Sequence, residues 1–77
     1  MKFTLIMPAI FERQKIWVSA SYPFTFVITE DSAGFSASAR NAEDLLNRRY
    51  EFGGYGSHKT FESAKAACEE FLKKLRH

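Results

Sequence analysis

The sequence predicts one α+β domain, in which a C-terminal amphipathic helix packs on an antiparallel sheet of three or four strands. Two observations predict this class. From Lys2 to Arg40 apolar and polar residues alternate with a period of two, as in strands, and from Thr60 the period becomes 3.6, as in a helix. A chain of 77 residues is a single domain, spanning 1–77, and 45% hydrophobic residues with eight Phe suffice for one core.

The first half of the chain predicts two strands before a hairpin. Alternation from Lys2 to Met7 indicates a strand, and Pro8 either ends this strand or places it at an edge of the sheet, because proline cannot donate to a ladder. The polar stretch "ERQK" then suits a connection, and "IWVSAS" is typical of a second strand.

The next two strands form the predicted hairpin. "FTFVITE" and "FSASAR" both alternate, and "DSAG" between them supplies turn residues. We expect Gly34 to adopt the positive φ that closes the turn. The expected apolar faces are Phe24, Phe26 and Ile28 on one strand, and Phe35, Ala37 and Ala39 on the other.

The segment "NAEDLLNRRYEF" leaves two structures open. Asn41 is a good helix cap, the acidic pair after it suits a first turn, and Arg48 and Arg49 suit a last turn. Tyr50 to Phe52 instead favours a brief strand. We therefore expect a helical turn or a short helix between residues 42 and 49, followed by an extended piece.

The C-terminal helix has the clearest pattern. Thr60 is a good N-cap, and Glu62 lies in the first turn, where the helix dipole favours an acid. One apolar stripe follows and predicts the face that lies on the sheet: Phe61, Ala64, Cys68, Phe71, Leu72 and Leu75. Cys68 on this stripe is expected to be buried and unreactive.

Charge, cysteine content and apolar runs limit the cellular setting. A net charge of +2 is too small to identify a partner, and no apolar run approaches the roughly 20 residues of a membrane helix. A single cysteine excludes an internal disulfide and favours a reducing compartment, so we expect a cytoplasmic protein. The N-terminal segment is interpreted as a strand and not a signal peptide, and the initial Met suggests a complete small gene product.

The stretch "GGYGSHKT" is close to a nucleotide-binding P-loop. Gly53, Lys59 and Thr60 are in register with that motif, but His58 stands at its second glycine. Such enzymes also need a parallel sheet, which 77 residues with hairpins cannot form. We interpret the stretch as a connection into a capped helix, and the alternative is an anion site made by His58, Lys59 and free backbone N–H groups.

The same region resembles the start of the C-terminal helix in double-stranded-RNA-binding domains. That family carries a G-x-G-x-S-K-K-x-A-K-x-x-A-A pattern there. The matching residues lie in "GYGSHKTFESAKAACEEFL": Gly54, Gly56, Lys59, Ala64, Lys65 and Ala67. The resemblance implies RNA binding, with Lys59 and Lys65 as contacts.

Catalysis finds no support in the sequence. His58, His77 and Cys68 do not have metal-ligand spacing. The pairs of adjacent Glu and Asp residues fall at predicted turn or helix-cap positions, where acidic side chains are usually solvated. We therefore expect no catalytic residues, no metal and no cofactor, and hence a protein that is not an enzyme.

The aromatic residues instead indicate a binding surface. One helix covers one face of a sheet, and aromatic and arginine side chains are frequent interface anchors. The predicted partner contacts are Arg48, Arg49, Tyr50, Phe52 and Tyr55. The alternative is that these rings, with Trp17 and Tyr22, wrap the edges of a small core. A second copy of the chain is another candidate occupant of the exposed face.

The sequence leaves two functions open. In size and lack of reaction motifs the chain resembles small phage-encoded inhibitors of the anti-CRISPR type, which implies binding to a CRISPR effector and blocking its DNA contact or its activation. This is a protein-binding module that occupies a surface of a larger nucleoprotein complex. The alternative is a small nucleic-acid-binding domain that uses Arg48, Arg49, Lys59 and Lys65.

Overall fold

The computed structural model describes residues 1–7, 15–53 and 57–75. These residues form five antiparallel strands in the order β1-β2-β3-β4-β5, followed by one helix. The elements are β1 (Thr4–Met7), β2 (Lys15–Ser21), β3 (Phe24–Asp31), β4 (Gly34–Asn41), β5 (Arg49–Glu51) and α1 (Phe61–Leu75). The predicted α+β class, antiparallel sheet and C-terminal helix are confirmed. The predicted strand number was too low, because β5 adds a fifth strand. Pro8 and most of the predicted "ERQK" connection lie outside the described residues.

The β3–β4 hairpin is confirmed along its full length. Its eight residue pairs run without a shift from Phe24 opposite Asn41 to Asp31 opposite Gly34. Asp31 Oδ1 accepts a hydrogen bond from the backbone N of Ala33 at 2.9 Å, and Gly34 has the expected positive φ, 134°. The turn residues therefore set the register of the two central strands.

The centre of the core is built from small residues. Ala37 and Ala39 of β4 face Ala64 and Cys68 of α1, and all four are buried, together with Phe26 and Ile28 of β3. Small side chains on both elements allow the helix to approach the sheet closely.

Aromatic rings fill the two ends of this interface. Phe61, in the first turn of α1, has its centroid within 4.9 to 6.3 Å of three rings: Phe3, Trp17 and Phe35. Phe71, near the other end, lies within 4.9 to 6.1 Å of four more: Phe24, Phe26, Tyr50 and Phe52. The rings of Trp17 and Phe52 thus belong to the edge of the core, as the alternative interpretation proposed.

The helix begins where the sequence predicts. Thr60 Oγ1 accepts a hydrogen bond from the backbone N of Ser63 at 3.1 Å, which confirms the N-cap. Leu75 is exposed, so the apolar stripe stops at Leu72, before the end of α1.

The prediction of a short helix between residues 42 and 49 is wrong, because turns occupy this segment, whereas the extended piece predicted after it is present as β5. Asn41 Oδ1 accepts a hydrogen bond from Glu43 N at 2.8 Å, and Asp44 Oδ1 accepts one from Leu46 N at 2.9 Å. Each side chain binds an N–H group two residues ahead, which competes with helical hydrogen bonding. Asn47 adds a φ of 53°, outside the right-handed helical region.

The face of the sheet opposite α1 is not covered by any element of residues 1–7, 15–53 and 57–75. By register, side chains of alternate positions share this open face: Ile16, Val18, Thr25, Val27, Thr29, Ser36, Ser38, Arg40, Arg49 and Glu51. It is an aliphatic centre bordered by hydroxyl groups, with charges toward β5.

Candidate functional site

The β4–β5 loop, residues 42–48, is fixed by its own hydrogen bonds. Asn41 O accepts from Asp44 N at 3.1 Å, and Asp44 O accepts from Asn47 N at 2.9 Å. With the two side-chain bonds described above, two successive turns are closed. The loop therefore has a defined backbone although it contains no helix.

Asp44 is the centre of this loop. Its Oδ2 atom lies 2.9 Å from Arg48 Nε, while Oδ1 accepts from Leu46 N, and only 7% of its side chain is exposed. The hydrogen bond from Arg48 holds the pKa of Asp44 below its ordinary value, and the bond from Leu46 adds to this. The same pairing raises the pKa of Arg48. Asp44 thus remains a charged acceptor at neutral pH.

The neighbouring β2–β3 connection is joined to this loop. Pro23 O accepts a hydrogen bond from Ala42 N at 2.7 Å, and the Tyr22 hydroxyl donates to Glu43 Oε2 at 3.3 Å. Two connections at the same end of the sheet therefore form one surface.

This surface exposes large apolar side chains. Leu45 is fully exposed, Leu46 is 74% exposed and Tyr22 is 78% exposed. We call these three residues the apolar tip. Single exposed leucines are common, but two adjacent ones on a fixed loop beside an exposed tyrosine are a candidate interface.

The predicted partner contacts divide between different surfaces. Arg48 lies on the loop of the apolar tip, whereas Arg49 points to the open face, where Glu51 Oε1 lies 2.6 Å from its guanidinium. Tyr50 packs on Phe71 and is 36% exposed.

Phe52 is half-buried and packs on the core rings. Tyr55 lies outside the described residues. Its predicted contact, like those of the other four residues, stays a prediction.

The stretch from Gly53 to Thr60 is tied to the sheet at His58. The backbone of His58 donates to Phe35 O at 3.1 Å and accepts from Phe35 N at 2.8 Å. Its ring lies 2.7 Å from Phe52 O through Nε2 and 3.1 Å from Ser63 Oγ through Nδ1. The His58 N–H group and ring are therefore occupied, which favours the connection over the anion site.

The other predicted contacts for anions or nucleic acid are placed separately. Lys59 is exposed immediately before the helix cap, and Lys65 is half-buried on α1. Within the described part of the chain, no group of three His, Cys, Asp or Glu side chains is arranged to hold a metal ion. Nor does that part contain a helix with the length and apolar character needed to cross a membrane.

Sequence reasoning missed Leu45 and Leu46, because the helix interpretation assigned them to a helix. The signal that finds them is the spacing of Asn41, Asp44 and Asn47, three residues that readily form turns with their own backbone. Such spacing favours successive turns, and turns leave neighbouring apolar side chains outside the core.

Comparison with known proteins gives no relative from which a function could be transferred. No family model matches the chain, and no curated protein or solved structure matches it.

Proposed function

We propose that this chain is a non-enzymatic protein-binding module whose main contact surface is the apolar tip. The observation that carries the proposal is the exposure of Tyr22, Leu45 and Leu46 on connections fixed by hydrogen bonds. A loop that is already ordered loses little conformational entropy when it binds. Exposed apolar side chains on such a loop therefore favour association with another protein.

Residues around the apolar tip extend the proposed surface. Arg48 is 64% exposed at its side chain while Asp44 holds its Nε, so its remaining N–H groups can meet a partner. Tyr50 is 36% exposed at the β5 edge of the sheet. Arginine and tyrosine are both enriched among residues that dominate binding energy.

The proposed partner is a larger protein or nucleoprotein complex in the cytoplasm. The likeness to small phage-encoded inhibitors makes a CRISPR effector the first complex to test, with blocked DNA contact or blocked activation as the expected effect. The single free and buried Cys68 supports a reducing compartment. No cofactor or catalytic step enters this proposal.

The ion pairs that Arg48 and Arg49 form with carboxylates favour a protein over a nucleic acid as the partner. Arg48 is bound to Asp44 and Arg49 to Glu51, so each cation is accompanied by a carboxylate that would repel a phosphate. Strong nucleic-acid binding draws on many uncompensated cations. The net charge of +2 provides few of them.

The test captures partners from a nuclease-treated lysate and then titrates the purified partner. We expect Leu45→Ser combined with Leu46→Ser to weaken binding by about 30-fold or more, because the loss of even one anchor of about 2 kcal/mol corresponds to that factor. Leu75→Ser is the matched control, since Leu75 is also an exposed leucine but lies at the end of α1. It should leave the affinity unchanged.

A different result would contradict the proposal and support binding to nucleic acid. Capture that disappears after nuclease treatment, with an affinity that falls steeply with salt, would show the alternative nucleic-acid-binding function. In that case Lys59→Ala and Lys65→Ala should each reduce the slope of log affinity against log salt concentration by about one. The leucine variants should not change the affinity.

A further inference from the structure

Two arginines lie directly opposite each other on the open face. Arg40 of β4 pairs in register with Arg49 of β5, and both side chains are exposed. Directly opposed residues have Cβ atoms about 4.5–5.5 Å apart, and like charges on such residues destabilise a sheet. We call Arg40 and Arg49 the arginine pair.

Among the described residues, only one of the two charges is compensated. Glu51 holds Arg49 through a contact of 2.6 Å, whereas Arg40 has no side-chain hydrogen bond or ion pair with any other described residue. The arginine pair and Glu51 together carry a net charge of +1. Within the described part of the chain, the open face thus has one unmatched cation, Arg40, beside an aliphatic centre.

We infer that the arginine pair binds a carboxylate side chain of the protein partner, an inference that rests on the proposed function. A carboxylate between the two guanidinium groups would remove their repulsion and accept hydrogen bonds from both. A single negative charge matches the net +1, whereas the multiple charges of a phosphate backbone would be repelled by Glu51.

The surroundings of the arginine pair fit a side chain of a protein. Thr25 lies opposite Arg40 on the adjoining strand, and Ser38 lies opposite Glu51. Val27 lies next in the same face, opposite Ser38. An acidic residue followed by apolar residues would place its carboxylate on the arginine pair and its neighbours on the aliphatic centre.

The first experiment needs no partner. An N-acetylated peptide amide with one glutamate followed by two valines is titrated into the ¹⁵N-labelled protein at low salt, and a 16-base-pair RNA duplex is titrated in parallel. We expect the peptide to shift the amide signals of Thr25, Arg40 and Arg49. Arg40→Thr should abolish these shifts, and Lys74→Thr, an exposed cation on α1, should retain them.

The variant also has an expected effect on the free protein. Arg40→Thr removes the opposed charges and places a β-branched residue in the strand, so its melting temperature at low salt should exceed that of the wild type. Peptide shifts that survive Arg40→Thr, or no shifts at all, would overturn the inference. Tighter binding of the RNA duplex at the arginine pair would also overturn it.

Failure of this inference and failure of the proposed function are distinguishable. If the glutamate peptide binds at Arg40 but the Leu45→Ser, Leu46→Ser variant retains full affinity for the captured partner, the apolar tip is excluded and the arginine pair remains. If the leucine variant loses affinity while Arg40→Thr changes neither the peptide shifts nor partner binding, the arginine pair is excluded alone.

Discussion

His58 Nε2 lies 2.7 Å from the carbonyl oxygen of Phe52. Both residues belong to the segment whose sequence resembles a P-loop or directly precede it. A carbonyl oxygen only accepts, so Nε2 carries the hydrogen, and Nδ1 then accepts from the hydroxyl of Ser63 at 3.1 Å. The ring therefore connects the residue after β5 to the first turn of α1. At the position where a P-loop has glycine, this chain uses a side chain to close its own loop.

His58→Ala should lower the free energy of unfolding by about 1–2 kcal/mol, because two hydrogen bonds of about 1 kcal/mol each are lost. Urea denaturation followed by circular dichroism measures this change. Ser63→Ala removes only the Nδ1 contact and should cost about half as much. Equal stability of His58→Ala and the wild type would show that the ring does not hold the loop.

Gly53→Ala should also destabilise the protein. Gly53 has a φ of 95°, and a Cβ atom there would collide with the Ser57 hydroxyl and lie 3.0 Å from Ser57 Cβ. Backbone strain of this kind costs about 1–3 kcal/mol, and the collision adds to it. Adding Ser57→Gly removes the collision and should restore part of the stability measured by urea denaturation. Full restoration would show that the backbone conformation itself is not strained.

Cys68 should react slowly in the folded protein. Burial raises the pKa of its thiol to about 12, and the negative charge of Glu69 contributes. Only the thiolate is nucleophilic, so labelling by an aromatic disulfide at pH 8 should be at least about a hundred-fold slower than in urea. Rapid labelling without denaturant would contradict both the burial and the helix register.

The same pKa shift predicts how stability depends on pH. The unfolded thiol loses its proton near pH 8.5, whereas the folded thiol keeps it up to about pH 12. The contribution of Cys68 is therefore fully present below the lower value and is lost as the pH rises between the two. Cys68→Ala should show a smaller decrease in stability over that range.

The regular elements were predictable because their signals are local. Gly34 and the alternation around it determine the hairpin, and Thr60 with the apolar stripe determines where α1 begins. The loop was not predictable in the same way, because Asn41 caps a helix and closes a turn equally well. The choice between them depends on where Arg49 pairs, which is a contact with β4 across the sheet.

The candidate site was less predictable than the fold for the same reason. Arg48 and Arg49 are adjacent in sequence, yet one binds Asp44 in the loop and the other lies opposite Arg40 on the open face. Arg48 is the last residue of the loop, whereas Arg49 is the first residue of β5. Their separation therefore followed from the position of β5, which a three-residue strand barely indicates.

Phe52 and Tyr50 should differ in the property that they control. Phe52→Ala should cost about 2–4 kcal/mol of unfolding free energy, because its ring packs on Phe26 and Phe71. Tyr50→Ala should cost less stability and should weaken partner binding. Phe52→Leu keeps an apolar side chain of similar size and should preserve both fold and affinity. A folded Phe52→Leu protein that no longer binds would place Phe52 in the interface.

Acid should loosen the apolar tip. Asp44 contributes through its charged form, and its pKa is lowered by Arg48 and Leu46. That contribution is present above the unfolded value near pH 4 and is lost as the pH falls through the lower folded value. The Leu46 amide signal, followed by NMR from pH 6 to 2.5, should titrate with a midpoint below 3.8. Asp44→Asn keeps an acceptor for Leu46 and should abolish the titration. A midpoint at or above the ordinary value would show that Arg48 does not hold the loop.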